Sequence, residues 1–172
     1  LIPIEEPVTN LFSLSASGTL SSNGTPYPYR YAGFNFGYAD SPKSIADGLF
    51  GGTESSSRDI KAVYAPDVSS IGNNAFAYSN LEDALFGSLD NIGNEAFRKV
   101  PLHELEGTRF VNSVTIGNGA FRESGIAYLD IPSGATIGTD LFRDDKSLYR
   151  VSISTEKIPE RTFYGCTKLE DA

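Results

Sequence analysis

Residues 70–97 read SIGNNAFAYSNLEDALFGSLDNIGNEAF, so Ile71-Gly72-Asn73-Asn74-Ala75-Phe76 is echoed by Ile92-Gly93-Asn94-Glu95-Ala96-Phe97. An echo at fixed distance is the mark of a repeat architecture, in which each unit leans on the next. Followed outward, the phenylalanine recurs at Phe50, Phe76, Phe97, Phe121, Phe142 and Phe163, at intervals of 26, 21, 24, 21 and 21 residues. Five residues before each stands an isoleucine: Ile45, Ile71, Ile92, Ile116, Ile137 and Ile158. A second pattern, apolar-x-x-apolar-x-apolar, follows each phenylalanine at Ile60/Val63/Ala65, Leu81/Ala84/Phe86, Leu102/Leu105/Gly107, Ile126/Leu129/Ile131 and Leu148/Val151/Ile153, and restarts at Leu169/Ala172. Six units are visible, the last of them incomplete.

The second pattern ends in alternation, as in Tyr128-Leu129-Asp130-Ile131, the period of a strand with one face buried. The Ile-Gly-x-x-Ala-Phe segment places its glycine where a tight turn is expected, and its Ile and Phe are spaced for a helical turn. Asn118 and Gly119 reinforce the turn reading, and Asn118 is expected to matter little to stability. One short strand and one helical turn per unit cannot hide their apolar sides alone. Stacking solves this by lining up one Phe per coil in a continuous core. Two longer intervals carry inserts, GGTESSSRD after Phe50 and TRFVNS between Gly107 and Val114, which read as surface loops.

The chain of 172 residues carries a formal net charge of −8, one cysteine and one histidine. An acidic surface repels phosphates, so nucleic acid is excluded as a partner, and no apolar run is long enough for membrane insertion. The lone Cys166 cannot form an internal disulfide and reads as a small apolar side chain. The chain opens on Leu1 without an initiator methionine and closes inside a repeat, as expected of a piece of a longer protein. No nucleophile elbow, phosphate-binding loop or HExxH motif is present, and one histidine with one cysteine makes a zinc site unexpected. No catalytic residue, metal or cofactor is therefore assigned, and His103 reads as an ordinary exposed side chain.

The units FRESGIAYLDIPSGATIGTDLF (121–142) and FRDDKSLYRVSISTEKIPERTFYGCTKL (142–169) resemble the BspA-like class of leucine-rich repeats, with its L-x-x-V-x-I-P strand, I-G-x-x-A-F turn and F-x-G-C-x-x-L run. The resemblance covers residues 45–172. Gly107 in place of an apolar strand residue and Pro159 in place of the turn glycine depart from the pattern. It implies an α/β repeat solenoid, a right-handed superhelix with one short strand and one helical turn per repeat. It also implies a secreted or cell-surface microbial protein that binds host or matrix macromolecules; that the chain is no enzyme is the expectation from its missing catalytic motifs.

Residues 1–44 differ in kind, being rich in Ser, Thr, Gly and Pro with alternating aromatics at Tyr27, Tyr29, Tyr31, Phe34, Phe36 and Tyr38. Asn23-Gly24 signals a β-hairpin, with Pro26 and Pro28 demoting its second arm to an edge. An array needs its open end covered, so this segment reads as an N-terminal cap, with an aromatic ligand platform as the other reading. Asn23-Gly24-Thr25 is also a glycosylation sequon.

Superposing the strands puts Tyr64, Asp83, Leu85, Glu104, Glu106, Tyr128, Asp130 and Arg150 on one outward face, the candidate ligand-binding surface. Asp83, Glu104, Glu106 and Asp130 on adjacent rungs could hold a cation, a basic ligand or sugar hydroxyls, or simply form a solvated acidic face. The leading reading is a binding or adhesion module for a protein or glycan macromolecule. A parallel β-helix enzyme acting on acidic polysaccharide is one alternative, which a nearly helix-free chain would favour; a spacer in a larger surface protein is the other. An exposed final strand over Leu169–Ala172 predicts end-to-end self-association.

Overall fold

A computed structural model describes residues 12–22, 33–35, 41–105, 107–155 and 157–170. Its strands are β1 (Phe12–Leu14), β2 (Thr19–Ser22), β3 (Gly33–Asn35), β4 (Ser44–Ile45), β5 (Ala62–Ala65), β6 (Ser70–Ile71), β7 (Asp83–Phe86), β8 (Ser88–Ile92), β9 (Arg109–Ile116), β10 (Tyr128–Ile131), β11 (Thr136–Ile137) and β12 (Arg150–Ile153). They form a solenoid. One sheet runs β1-β2-β4-β6-β8-β9-β11, and a second side carries the shorter sheets β3-β5-β7 and β10-β12. Apart from the antiparallel pair β1–β2, every pairing is parallel, as successive coils of one hand of travel require.

The six phenylalanines form one row. Phe50–Phe76, Phe76–Phe97, Phe97–Phe121, Phe121–Phe142 and Phe142–Phe163 lie with ring centroids 5.2, 5.3, 5.4, 5.7 and 5.9 Å apart, each pair stacked within 17° of parallel. All but Phe163 are buried. Ile45, Ile71, Ile92 and Ile116 are buried beside them, Ile137 is partly buried, and Ile158 in the last coil is 44% exposed.

The expected helical turn is absent: the described residues contain no helix, and the coil holds two strands rather than one. The isoleucine ends the second strand, and the residues after it form a run of turns whose amides alternate in purpose. Asn74, Phe76 and Tyr78 donate to the carbonyls of Asn94, Ala96 and Arg98 in the next coil, while Ala77 and Ser79 donate three residues back, to Asn74 and Phe76. The same three cross-coil bonds recur at each of the junctions from Gly48 to Tyr164, at 2.7–3.0 Å. An α-helix would consume these donors four residues back and leave the next coil unbonded. The alternation brings left-handed backbone on either side of each phenylalanine from Phe76 onward, and before Phe50 at Gly48. It is found at the non-glycine residues Asn74, Tyr78, Glu95, Lys99, Glu123, Asp140, Asp144 and Arg161, with φ of 52–60°.

The glycine after each isoleucine is needed for another reason than a turn. Gly72, Gly93, Gly117 and Gly138 have no positive φ, but a Cβ on Gly93 would lie 2.5 Å from the Asn73 nitrogen, and one on Gly117 2.6 Å from the Asn94 nitrogen. Coils touch backbone to backbone there. Just beyond, a side-chain ladder reinforces the junction: Asp47 Oδ1 accepts the Asn73 amide at 2.7 Å, Asn73 Oδ1 the Asn94 amide, Asn94 Oδ1 the Asn118 amide, and Asn118 Oδ1 the Thr139 amide at 2.9 Å. Asn118 is thus a rung of the structure, which corrects its reading as a dispensable turn residue.

The two inserts differ. GGTESSSRD forms an exposed loop pinned by the isolated bridges Thr53–Ser56 and Arg58–Ser79. TRFVNS is not a loop: all of it but Thr108 belongs to the eight-residue β9, where 111–114 stand opposite the single Asp90 of β8. The three additional residues are the three by which this interval exceeds 21, taken up as a bulge.

Ahead of the array, β1 and β2 form a hairpin across Ser15–Gly18, and β2 and β3 add in parallel to the two sides of the solenoid, pairing Leu20 with Ile45 and Phe34 with Val63. The Asn23-Gly24 hairpin and the aromatics Tyr27, Tyr29, Tyr31, Phe36 and Tyr38 fall outside the described residues. At the other end, Leu169 and Glu170 are not in a strand and 171–172 are not described, although Glu170 donates to Tyr149 as the next coil would.

A buried polar pair joins the coils of Phe121 and Phe142. Asp145, fully buried, accepts the Ser124 hydroxyl at 2.7 Å on Oδ2 and the amides of Ser147 and Leu148 on Oδ1. Burial raises its pKa despite these donors. Cys166 donates its thiol to the Phe142 carbonyl at 3.0 Å, and burial, with Asp145 nearby, pushes its pKa up to about 11, so it is an inert packing group.

Thermal denaturation should rank three substitutions. Phe121→Ala should cost about 3–5 kcal/mol, Gly93→Ala about 1–3 as overpacking, and Asn118→Ala about 1; equal effects would contradict the stacking. Asp145 predicts a pH dependence. Its folded pKa lies above its ordinary value of 3.8, so its contribution is complete below that value and is lost as pH rises through the raised one. Asp145→Asn should melt progressively higher relative to wild type as pH is raised through this window, and parallel curves would contradict the buried carboxyl.

Candidate functional site

The strand face carries the expected residues, but not as one regular column. On β5 and β7, Tyr64 stands opposite Leu85 and Ala62 opposite Asp83. On β10 and β12, Tyr128 stands opposite Arg150 and Asp130 opposite Ser152. Between the two sheets the third coil, 101–108, contributes no strand among the described residues, and Glu104 lies on this irregular segment. Glu106 lies outside the described residues. Asp83 and Asp130 are therefore on separate sheets with Glu104 between them. His103 is exposed on the same segment and is likewise not in a strand.

The cause is local. Gly107 takes a φ of +73°, where a Cβ would lie 3.2 Å from Leu85 Cδ1, and the chain swings into β9 and its bulge. The Phe86 amide donates to the Thr108 hydroxyl at 3.0 Å. The side-chain oxygen caps that one amide of β7 where the ladder stops.

The displaced segment opens a cleft of about 670 Å³. Its floor contains Leu105, Phe110, Leu129 and Ile131, and its rim Glu104, Thr108, Arg109, Tyr128, Asp130, Ser133, Ser152 and Ser154. Three of the residues expected on the face, Glu104, Tyr128 and Asp130, thus meet at one site. The Tyr128 hydroxyl donates to Asp130 Oδ2, which raises the phenol's pKa because the neutral form is the donor. The Arg150 guanidinium lies 5.7 Å from the centre of the Tyr128 ring on the neighbouring strand, a cation–π distance. Tyr64, Asp83 and Leu85 lie apart from this group on the other sheet. Thr108, Arg109 and Phe110 were hidden in an insert that reads as a loop, and the signal that could have found them is Gly107 at a strand position followed by an interval of 24.

Among the described residues no group of three or more His, Cys, Asp or Glu side chains could hold a metal ion, and no helix is long and apolar enough to cross a membrane. The turn surface pairs its charges. Arg98 meets Glu95 at 3.1 Å and Glu123 at 3.6 Å, and Arg161 meets Asp140 at 2.9 Å across coils, holding that carboxyl below its ordinary range. Neither Glu104 nor Asp130 has such a partner among the described residues.

A family model for the BspA type leucine rich repeat region, in six copies, matches residues 35–149 and 69–172. The chain belongs to this family. The solenoid also superposes on the crystal structure of a leucine-rich repeat protein from Bacteroides ovatus with a TM-score of 0.69 and 24% identity, covering 92% of this chain and 44% of that one. This likeness speaks for the fold, and the chain spans less than half the length of that neighbour. No curated protein matches the chain. Family membership accounts for the repeated Ile-Gly and Phe positions; the broken third coil is a departure from that repeat in this chain.

Proposed function

We propose that this chain is a non-enzymatic binding module of a secreted or cell-surface protein, which holds a protein or glycan macromolecule on its strand face. The observation that carries the reading is the convergence of Glu104, Tyr128 and Asp130 on one cleft, set in a face stiffened by parallel ladders on both sides. Rigid scaffolds presenting a local irregularity are where binding groups are best positioned. Residues 1–44 are proposed to cap the first coil, consistent with β2 and β3 adding to both sides of the solenoid.

The enzyme alternative shares the helix-free coil, so helix content does not separate the two readings; release of reducing ends from an acidic polysaccharide would. The test of the binding reading is capture of the chain on immobilised mucin and extracellular-matrix preparations. Wild type should be retained, and a Glu104→Gln/Tyr128→Ala double variant should fall by about tenfold, the scale of one lost site. Equal capture would move the site elsewhere on the face, and no capture on any preparation would favour a spacer.

End-to-end association also remains part of this reading, on new grounds. Arg161, Phe163 and Gly165 hold the positions whose amides bond the following coil elsewhere, and they have no backbone acceptor among the described residues. Ile158 at 44% and Tyr164 at 61% exposure lie beside them. Light scattering should show mass rising with concentration, and Ile158→Asp, which puts a charge on the exposed apolar side chain of this end, should lower it; a constant monomer mass would overturn the expectation.

A further inference from the structure

The broken ladder leaves one strand edge open, and the parity of the sheet shows which groups it offers. Arg150 donates its amide to the Ala127 carbonyl across β10 and β12. In a parallel ladder alternate residues serve opposite neighbours, so Leu129 and Ile131 face β12 while the amides and carbonyls of Tyr128 and Asp130 face the third coil. His103 accepts the Ala127 amide at 2.9 Å, and beyond that point no described backbone group of the third coil bonds to β10. On the opposite bank the Thr108 hydroxyl takes the Phe86 amide of β7.

The side chains around that edge select what could pair with it. The floor beside it is apolar, from Leu105 and Leu129, and the rim carries Glu104 and Asp130, which lack a cation among the described residues. An added strand presents side chains alternately to floor and rim. Apolar residues would therefore alternate with basic ones, with Arg109 at the cleft and Arg150 against the Tyr128 ring setting a limit on how far the basic register extends. A glycan would satisfy the rim hydroxyls but would leave the floor and the row of backbone groups without matched partners.

We propose that the cleft binds an extended basic peptide by strand addition to β10, its backbone pairing with Tyr128 and Asp130 and its Lys or Arg side chains meeting Glu104 and Asp130. This rests on the binding-module reading and names the ligand chemistry of that site.

The probe is an acetylated, amidated hexapeptide of alternating Val and Lys, titrated into the whole chain by calorimetry at low and high salt. It should bind, and weaken as salt rises. N-methylation of alternate amides in the register that pairs should weaken it at least about tenfold, and a Val/Glu counterpart should not bind. Asp130→Asn and Glu104→Gln should each weaken binding severalfold. Asp130→Pro removes the cleft-facing amide while leaving the β12 side of the ladder intact, and should abolish binding. If circular dichroism shows that this variant unfolds, the N-methylated series decides. Equal affinity for both N-methyl registers would overturn strand addition, and binding of chitotetraose but not of the peptide would overturn the ligand class. Silence from the peptide while mucin or matrix capture persists would sink this inference and leave the binding-module reading standing.

Discussion

The rest of the structure depends on a single constraint: the amides around each phenylalanine must reach carbonyls one coil away. Bonds of 2.7–3.0 Å fix the rise between coils, and that rise then dictates what every column can hold. At a spacing near the ~4.8 Å of paired strands, flat rings can stack, but they do so with some slip, because an aromatic pair favours an offset over a full face-to-face overlap. Centroid distances of 5.2–5.9 Å between nearly parallel rings are the signature of that compromise. The same rise leaves no room for a Cβ at Gly93 or Gly117, and brings each Asn73, Asn94 and Asn118 carboxamide to the next amide. Aromatic, glycine and asparagine columns are thus three consequences of one spacing.

Non-glycine residues in left-handed backbone show how strongly this constraint acts. Such a conformation costs roughly 1–2 kcal/mol per residue, yet Tyr78, Lys99 and Arg161 adopt it. At Tyr78 and Lys99 the compensating term is visible as a cross-coil hydrogen bond, to Arg98 and to Arg122. Ion pairing on the outer surface adds little by comparison, since exposed pairs contribute about 0–1 kcal/mol. The network from Glu95 to Asp144 is better understood as tolerating the arginines at Arg98, Arg122 and Arg143 than as holding the coils together.

What was legible in the sequence follows from the same distinction between side chains and backbone. The Phe and Ile positions were readable because side-chain burial leaves a periodic trace, and Phe121 and Ile92 lie in the core where the spacing put them. The helical turn was misread because periodicity records which residues face inward and is silent on where their amides go; the donors of Asn74 and Phe76 leave the coil altogether. The cleft escaped for a related reason. Superposing Glu104 and Glu106 on Asp83 and Tyr128 assumes that each unit makes the same strand, whereas three additional residues opposite Asp90 draw the third coil out of register. Glu104, Tyr128 and Asp130 were on the right face, and their convergence depends on a break that the repeat pattern smooths over.

A stacked array satisfies its own backbone, and this satisfaction makes its regular faces poor at holding anything by main-chain contact. Within β3-β5-β7 the middle strand β5 is paired with the coils on either side. Free polar backbone can survive only where stacking stops, at an end or at an irregular coil. Among the described residues the chain has both: the amides of Arg161, Phe163 and Gly165 at one end, and the edge of β10 beside the third coil. The two places differ in chemistry. The end sets its donors beside the exposed Ile158 and Tyr164, whereas the interior break sets the edge of β10 between an apolar floor and the carboxylates of Glu104 and Asp130. A repeat protein that keeps a glycine with φ of +73° and a bulge in the middle of its array retains, at that point, the one kind of surface that uniform coils cannot supply.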